Sequence, residues 1–134
     1  MSDAHIGASG NEEKVCQFFQ MAKQDADRLI LNGDILDLWR APWDEIQSSA
    51  AYKELIMTVQ VVPTVIVRGN HDFYLTESQV PGAMIVDEFE ENGWYIFMGG
   101  SLTRSKFYYG PFSLLFLGFF IVYSVSGAQI MQKP

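Results

Sequence analysis

Apolar residues recur at a helical period across residues 11–24, where Val15, Phe18, Phe19 and Ala22 fall at i, i+3, i+4 and i+7 and form one stripe. Asn11 is the expected N-cap of that helix. The next apolar run is short and continuous. Residues 28–31 (RLIL), stopped by Asn32-Gly33, read as a buried strand. A helical pattern returns at Asp44, a candidate cap, and runs to about Gln60 with Ile46, Ile56 and Val59 as core positions. Residues 61–67 form a third strand-like run. Pro63 has no N–H to give a ladder, so pairing is expected to begin near Thr64. Ahead of all these stands only a strand stub, residues 1–5.

Beyond His71 the pattern shifts to short strands at 83–86 and 94–97. Asn92-Gly93 between them is a strong turn signal, and a hairpin or tight connection is expected. The acidic run at 87–91 reads as a solvated face. Strand, helix, strand, helix, strand in that order predicts an α/β fold: a parallel sheet with flanking helices.

Nearly half of the 134 residues are apolar and the net charge is -7. That balance suits one folded domain and excludes both a disordered chain and a nucleic-acid surface built on bulk positive charge. Cys16 is the single cysteine, so no intrachain disulfide and no cysteine-based zinc site is expected. The opening MSDAHIG has neither the basic stretch nor the apolar core of a signal peptide, and a cytoplasmic setting follows as the expectation. Residues 107–132 carry no charge. A spanning helix needs about 20 apolar residues, and Pro111, Gly118 and several serines interrupt this run. The segment 107–134 is therefore set apart from a domain over 1–106, as either buried or membrane-associated. Arg104 and Lys106 precede it, a pair that favours anionic head groups at the inner face of the membrane.

Three polar clusters stand just after three strands: Asp3-Ala-His5, Gly33-Asp34-Ile-Leu-Asp37 and Gly69-Asn70-His71-Asp72. The crevice of an open α/β sheet lies at the carboxyl ends of its strands, so parallel strands would deliver all three clusters to one edge. The intervals between clusters leave room for the crossover helix that a parallel pair requires. Carboxylate, imidazole and amide oxygen suit Mn, Fe, Zn or Mg. A carboxylate can also bridge two cations at about 3.5–4 Å, the separation used by two-metal hydrolases. Gly33 and Gly69 would let the backbone turn sharply before each ligand. Each cluster alone has an ordinary reading as a turn; their order and placement together point to a metal site.

SDAHIG, NGDILDLW and RGNHD resemble the first three motifs of the calcineurin-like metallophosphoesterases, over residues 1–74. Trp39 behind the second motif resembles the branch that contains UDP-2,3-diacylglucosamine hydrolases. The resemblance implies a layered metallophosphoesterase fold and two divalent metal ions. Asp3 and His5 would hold the first ion, Asp34 would bridge both, and Asn70 would hold the second. His71 would act on the leaving oxygen and Asp37 would orient His71. Asp72 reads as a turn or cap residue.

The family completes its site with later histidines, whereas His5 and His71 are the two that this chain has. Met98 stands where a strand-end His would be expected, and a thioether is a poor ligand for hard cations and a good core residue. The second metal site is thus expected to be weakened. The short N-terminal stub implies a sheet truncated at its centre. Two function classes follow. One is a hydrolase of a phosphomonoester, phosphodiester or pyrophosphate, acting on a small-molecule or lipid-linked substrate. The other is an impaired module or fragment that binds without turnover. Trp39, Trp43, Phe73 and Tyr74 flank the predicted crevice and are either packing residues or contacts for an apolar part of a substrate.

Overall fold

The computed structural model describes residues 4–8, 10–91, 94–97, 122–125 and 128–130. Its elements are α1 (Glu12–Asp25), β1 (Arg28–Asn32), α2 (Trp43–Ser48), α3 (Ala50–Val59), β2 (Thr64–Val67), β3 (Met84–Val86), β4 (Glu88–Glu91), β5 (Trp94–Phe97), β6 (Val122–Val125) and β7 (Ala128–Ile130). One sheet has the order β3-β2-β1-β6-β7, and β4 with β5 form a separate pair. The pairings β1 with β2 and β2 with β3 are parallel, as the alternation of strands and helices requires. The other edge of β1 is paired by β6, antiparallel, and β7 follows antiparallel to β6.

β1 and β2 are almost wholly buried, so both sheet faces are covered. On one face Leu29, Leu31 and Ile66 join Val15, Phe19, Ala22, Leu55 and Val59 in the main core. The helical stripe of α1 behaves as its period implies: Val15, Phe19 and Ala22 are buried and Phe18 packs on the core edge. Burying each large aliphatic or aromatic side chain contributes roughly 1.5–3 kcal/mol. On the other face Ile30, Val65 and Val67 form a smaller cluster with Val86 and Phe89.

The single helix expected from Asp44 to Gln60 is two helices. Ser49 sits in extended backbone between them. Its hydroxyl oxygen accepts the Tyr52 N–H at 3.1 Å and its hydroxyl lies 2.9 Å from the Ile46 carbonyl, so it caps one helix end and closes the other. Glu12 on α1 accepts the next two N–H groups, Ala50 at 2.6 Å and Ala51 at 3.3 Å. Asp44 lies in the first turn of α2 rather than at its cap, which is Pro42. Asn11 occupies the N-cap position of α1 without a side-chain cap bond.

The hairpin is also displaced from the expected one. Strand β3 joins the parallel sheet, and β4 takes its place opposite β5, with Glu91 facing Trp94. The acidic run hides a period of two: Glu88 and Glu90 are exposed while Phe89 turns inward. Asp87 separates the two strands and is held by Arg68 at 2.7 Å. The turn residues Asn92-Gly93, together with Met98, Asp3 and most of the segment 107–134, lie outside the described residues. Among the described residues, no helix is long and apolar enough to cross a membrane.

Candidate metal centre

Strand β1 is followed by Gly33 and Asp34, both with left-handed backbone, φ 74° and 52°. Glycine adopts that geometry freely; aspartate does so at a cost of about 1–2 kcal/mol. His5 is the second non-glycine residue with positive φ, at 40°, and no other is found among the described residues. Backbone strain concentrated at two candidate ligands is the pattern of a functional site.

Hydrogen bonds from neighbouring segments hold this strained turn. The N-terminal segment runs beside the loop after β1: the His5 N–H donates to the Asp34 carbonyl at 3.0 Å and the Ile6 N–H to the Ile35 carbonyl at 2.9 Å. The Asp37 N–H returns to the Ile6 carbonyl at 3.1 Å. Among the described residues of this segment, Ile6 forms a parallel bridge with Leu36. Asp72 holds the turn from the other side. Its wholly buried carboxylate accepts N–H groups from Ile35 at 2.7 Å, Asp34 at 3.3 Å and Leu36 at 3.4 Å, and from Gly69 in its own loop. It is a brace between the two loops rather than a turn or helix cap. Burial raises its pKa above the ordinary carboxylate value, and the Asp34 charge adds to that, against the pull of the N–H donors.

Gly69 is explained by close approach. A Cβ there would collide with the Asp34 carboxylate and its backbone nitrogen. The expected sharp turn applies to Gly33, whereas at Gly69 the missing side chain makes room for a ligand. The Asp34 carboxylate in turn accepts the His71 N–H at 2.8 Å. Each loop's aspartate thus caps the other loop's backbone.

The side chains then converge. Asp37 is wholly buried and His71 Nδ1 lies 3.0 Å from its Oδ1. His5 Nδ1 lies 3.2 Å from Oδ2, outside hydrogen-bond alignment. The two imidazoles meet edge to face at 4.5 Å and are 15% and 18% exposed, so each is open to the surface on one side. Ligand atoms of His5, Asp37 and His71 all lie within 4.8 Å of one another. Arg40 closes the group, with Nε 2.9 Å from Asp37 Oδ2 and its N–H 3.2 Å from Oδ1. Burial opposes ionisation of Asp37, but the hydrogen bond and charge of His71, with the Arg40 N–H and guanidinium, outweigh it and hold the carboxyl below its usual value.

The structure therefore brings together His5, Asp34, Asp37 and His71, with Asn70 half-buried in the same loop as His71. Arg40, the brace role of Asp72 and the sharing of Asp37 by both imidazoles are not apparent in the sequence motifs. The one available signal for Arg40 was its i+3 spacing from Asp37. Two imidazoles, buried carboxylates and an amide suit a divalent first-row ion, and the close but unaligned His5–Asp37 contact fits ligands arranged around an ion rather than bonded to each other.

A family model described as calcineurin-like phosphoesterase matches residues 1–128. Comparison with curated proteins and with solved structures gives no match.

Proposed function

The chain belongs to the calcineurin-like phosphoesterase family, and from that premise we propose that it hydrolyses a phosphoester bond at the cluster of His5, Asp34, Asp37, Asn70 and His71. The observation that carries this reading is the meeting of His5, Asp37 and His71 within 4.8 Å at the ends of adjacent parallel strands. His5, Asp34 and Asn70, with Asp3, would hold divalent cations. Such cations, when bound, neutralise phosphate charge and acidify a water molecule.

The chain's own groups do the rest. Asp37 accepts from His71 Nδ1, which fixes the ring and leaves Nε2 as the nitrogen available to a substrate. From that position His71 would protonate the leaving oxygen. Asp34, through the His71 N–H, keeps the loop of the acid registered on the loop of the ligands. Left-handed backbone at His5 and Asp34 fixes both side chains before substrate arrives, which is preorganisation of the kind that lowers a barrier.

The test is metal content and turnover together. Full-length protein reconstituted with Mn²⁺ should hydrolyse bis(p-nitrophenyl) phosphate, lose that activity in a chelator and regain it on adding Mn²⁺. Metal binding with no turnover of any phosphoester would instead establish a binding module.

A further inference from the structure

Eight aromatic side chains besides the histidines have a described environment, and they divide cleanly. Phe18, Phe19, Trp43, Tyr52 and Phe89 are buried or half-buried; Trp43, for instance, stacks edge to face on Tyr52 at 5.4 Å. The exposed ones are Trp39 at 64%, Phe73 at 53% and Tyr74 at 75%. All three stand on the two loops that carry Asp37 and His71. Trp39 follows Asp37 by two residues, and Phe73 and Tyr74 follow His71 by two and three. The Trp39 ring centroid is 5.0 Å from that of His71, tilted by 38°, and Phe73 and Tyr74 meet edge to face at 5.3 Å. Packing does not explain them, because the core is filled by other residues and these rings leave most of their surface in water. Large exposed rings on the two loops that carry a polar cluster, one of them against His71, make a recognition surface.

We infer that Trp39, with Phe73 and Tyr74, forms a subsite for a planar aromatic ring on the alcohol side of the phosphoester, so that the substrate class is a nucleoside or aryl phosphate. The inference rests on the reading of the site as a phosphoesterase. A group leaving towards His71 passes beside the Trp39 indole, because the two rings adjoin. The Arg40 guanidinium, 59% exposed and next in sequence, lies on the same rim and can meet either phosphate or a ring face. Three flat rings with few rotatable bonds suit a flat partner. A fatty-acyl chain would be served instead by a deep aliphatic groove, and among the described residues of the site loops Leu36 and Leu75 are buried and Leu38 is half-buried against the core.

Adenosine 5′-monophosphate and ribose 5-phosphate share a phosphate and a primary alcohol and differ by the base. Titrated into the Mn²⁺-loaded full chain and followed by calorimetry, the adenosine ester should bind roughly five- to hundredfold more tightly, the range of stacking on an aromatic side chain. The preference should collapse in Trp39→Ala and return in Trp39→Phe. The exposure of Trp39 allows these variants to fold, which circular dichroism checks. Equal binding of the two esters, a preference untouched in Trp39→Ala and Phe73→Ala, or tighter binding of an acylglycerol phosphate would each overturn the subsite. Turnover of bis(p-nitrophenyl) phosphate is scored separately. If it occurs without a ring preference, only the subsite falls. If a ring preference occurs without turnover of any ester, only the hydrolytic reading falls.

Discussion

Asp37 and Asp72 are both removed from solvent, and both sit where the loops after β1 and β2 meet, yet their surroundings differ in kind. Asp37 faces two imidazoles and a guanidinium, and its carboxyl is held below the ordinary pKa. Asp72 faces neutral backbone N–H groups, and burial, with the Asp34 charge added, pushes its carboxyl above the ordinary value. Burial raises both acids; the hydrogen bonds and charges of His71 and Arg40 outweigh it at Asp37, whereas the N–H donors at Asp72 do not. On that division Asp37 poises the histidines and Asp72 fixes the loops that carry them.

The comparison breaks most visibly if Asp37 proves to be architecture. Asp37→Asn keeps the shape and removes the charged acceptor that holds the His71 ring. Turnover should fall about a thousandfold, within the range for a positioned acid–base group, while urea denaturation should move by no more than about 1.5 kcal/mol. A variant that unfolds instead would merge the two roles. Asp72→Ala is the mirror case. It strips the acceptor from the N–H groups of Asp34, Ile35, Leu36 and Gly69. At about 1–3 kcal/mol for each buried donor left unpaired, partly relieved by water, a loss of about 3 kcal/mol is expected in the same assay. Gly69→Ala should destabilise by about 2 kcal/mol and weaken Mn²⁺ binding, since the new Cβ displaces the Asp34 carboxylate; calorimetric titration of Mn²⁺ would show it.

The smallest effect is the most diagnostic in sign. In metal-free protein Asp37 has a folded pKa below its ordinary 3.8. Its ionised form thus stabilises the fold above that value, and the contribution is lost as pH falls through the lowered pKa. Asp72 has a folded pKa above 3.8. Its contribution is full below 3.8 and is lost as pH rises through the raised pKa. Melting temperatures between pH 3 and pH 7 should therefore lose part of their acid-side fall in Asp37→Asn and part of their decline on the rising side in Asp72→Asn. Parallel curves for the two variants would erase the distinction.

Much of the fold was legible because its signals are local. The stripe of Val15, Phe19 and Ala22, the continuous run of β1 and the late start of β2 behind Pro63 each follow from a period or a missing N–H. The break at Ser49 was not, because a serine in a helical pattern reads as neutral until its hydroxyl is seen bonded to Tyr52 and Ile46. The shifted hairpin was missed because the charge of residues 87–91 masked the alternation around Phe89. At the site, residue types and strand-end spacing pointed to Asp3, His5, Asp34, Asp37, Asn70 and His71, of which the structure brings His5, Asp34, Asp37 and His71 into contact while Asp3 lies outside the described residues. They carried no sign that Asp72 would brace both loops, since a side chain that bonds backbone far along the chain leaves no pattern nearby.

The Glu12 carboxylate begins one helix and covers the first free N–H groups of another. Helices α1 and α3 are in effect riveted at a shared point. Towards Asp25 and Val59 they are joined by the Lys23–Glu54 ion pair and by the packing of Phe19, Ala22, Leu55 and Val59 in the core. Removing that rivet in Glu12→Ala should free the start of α3 first, read as faster exchange of the Ala50 and Ala51 amides than in the parent chain.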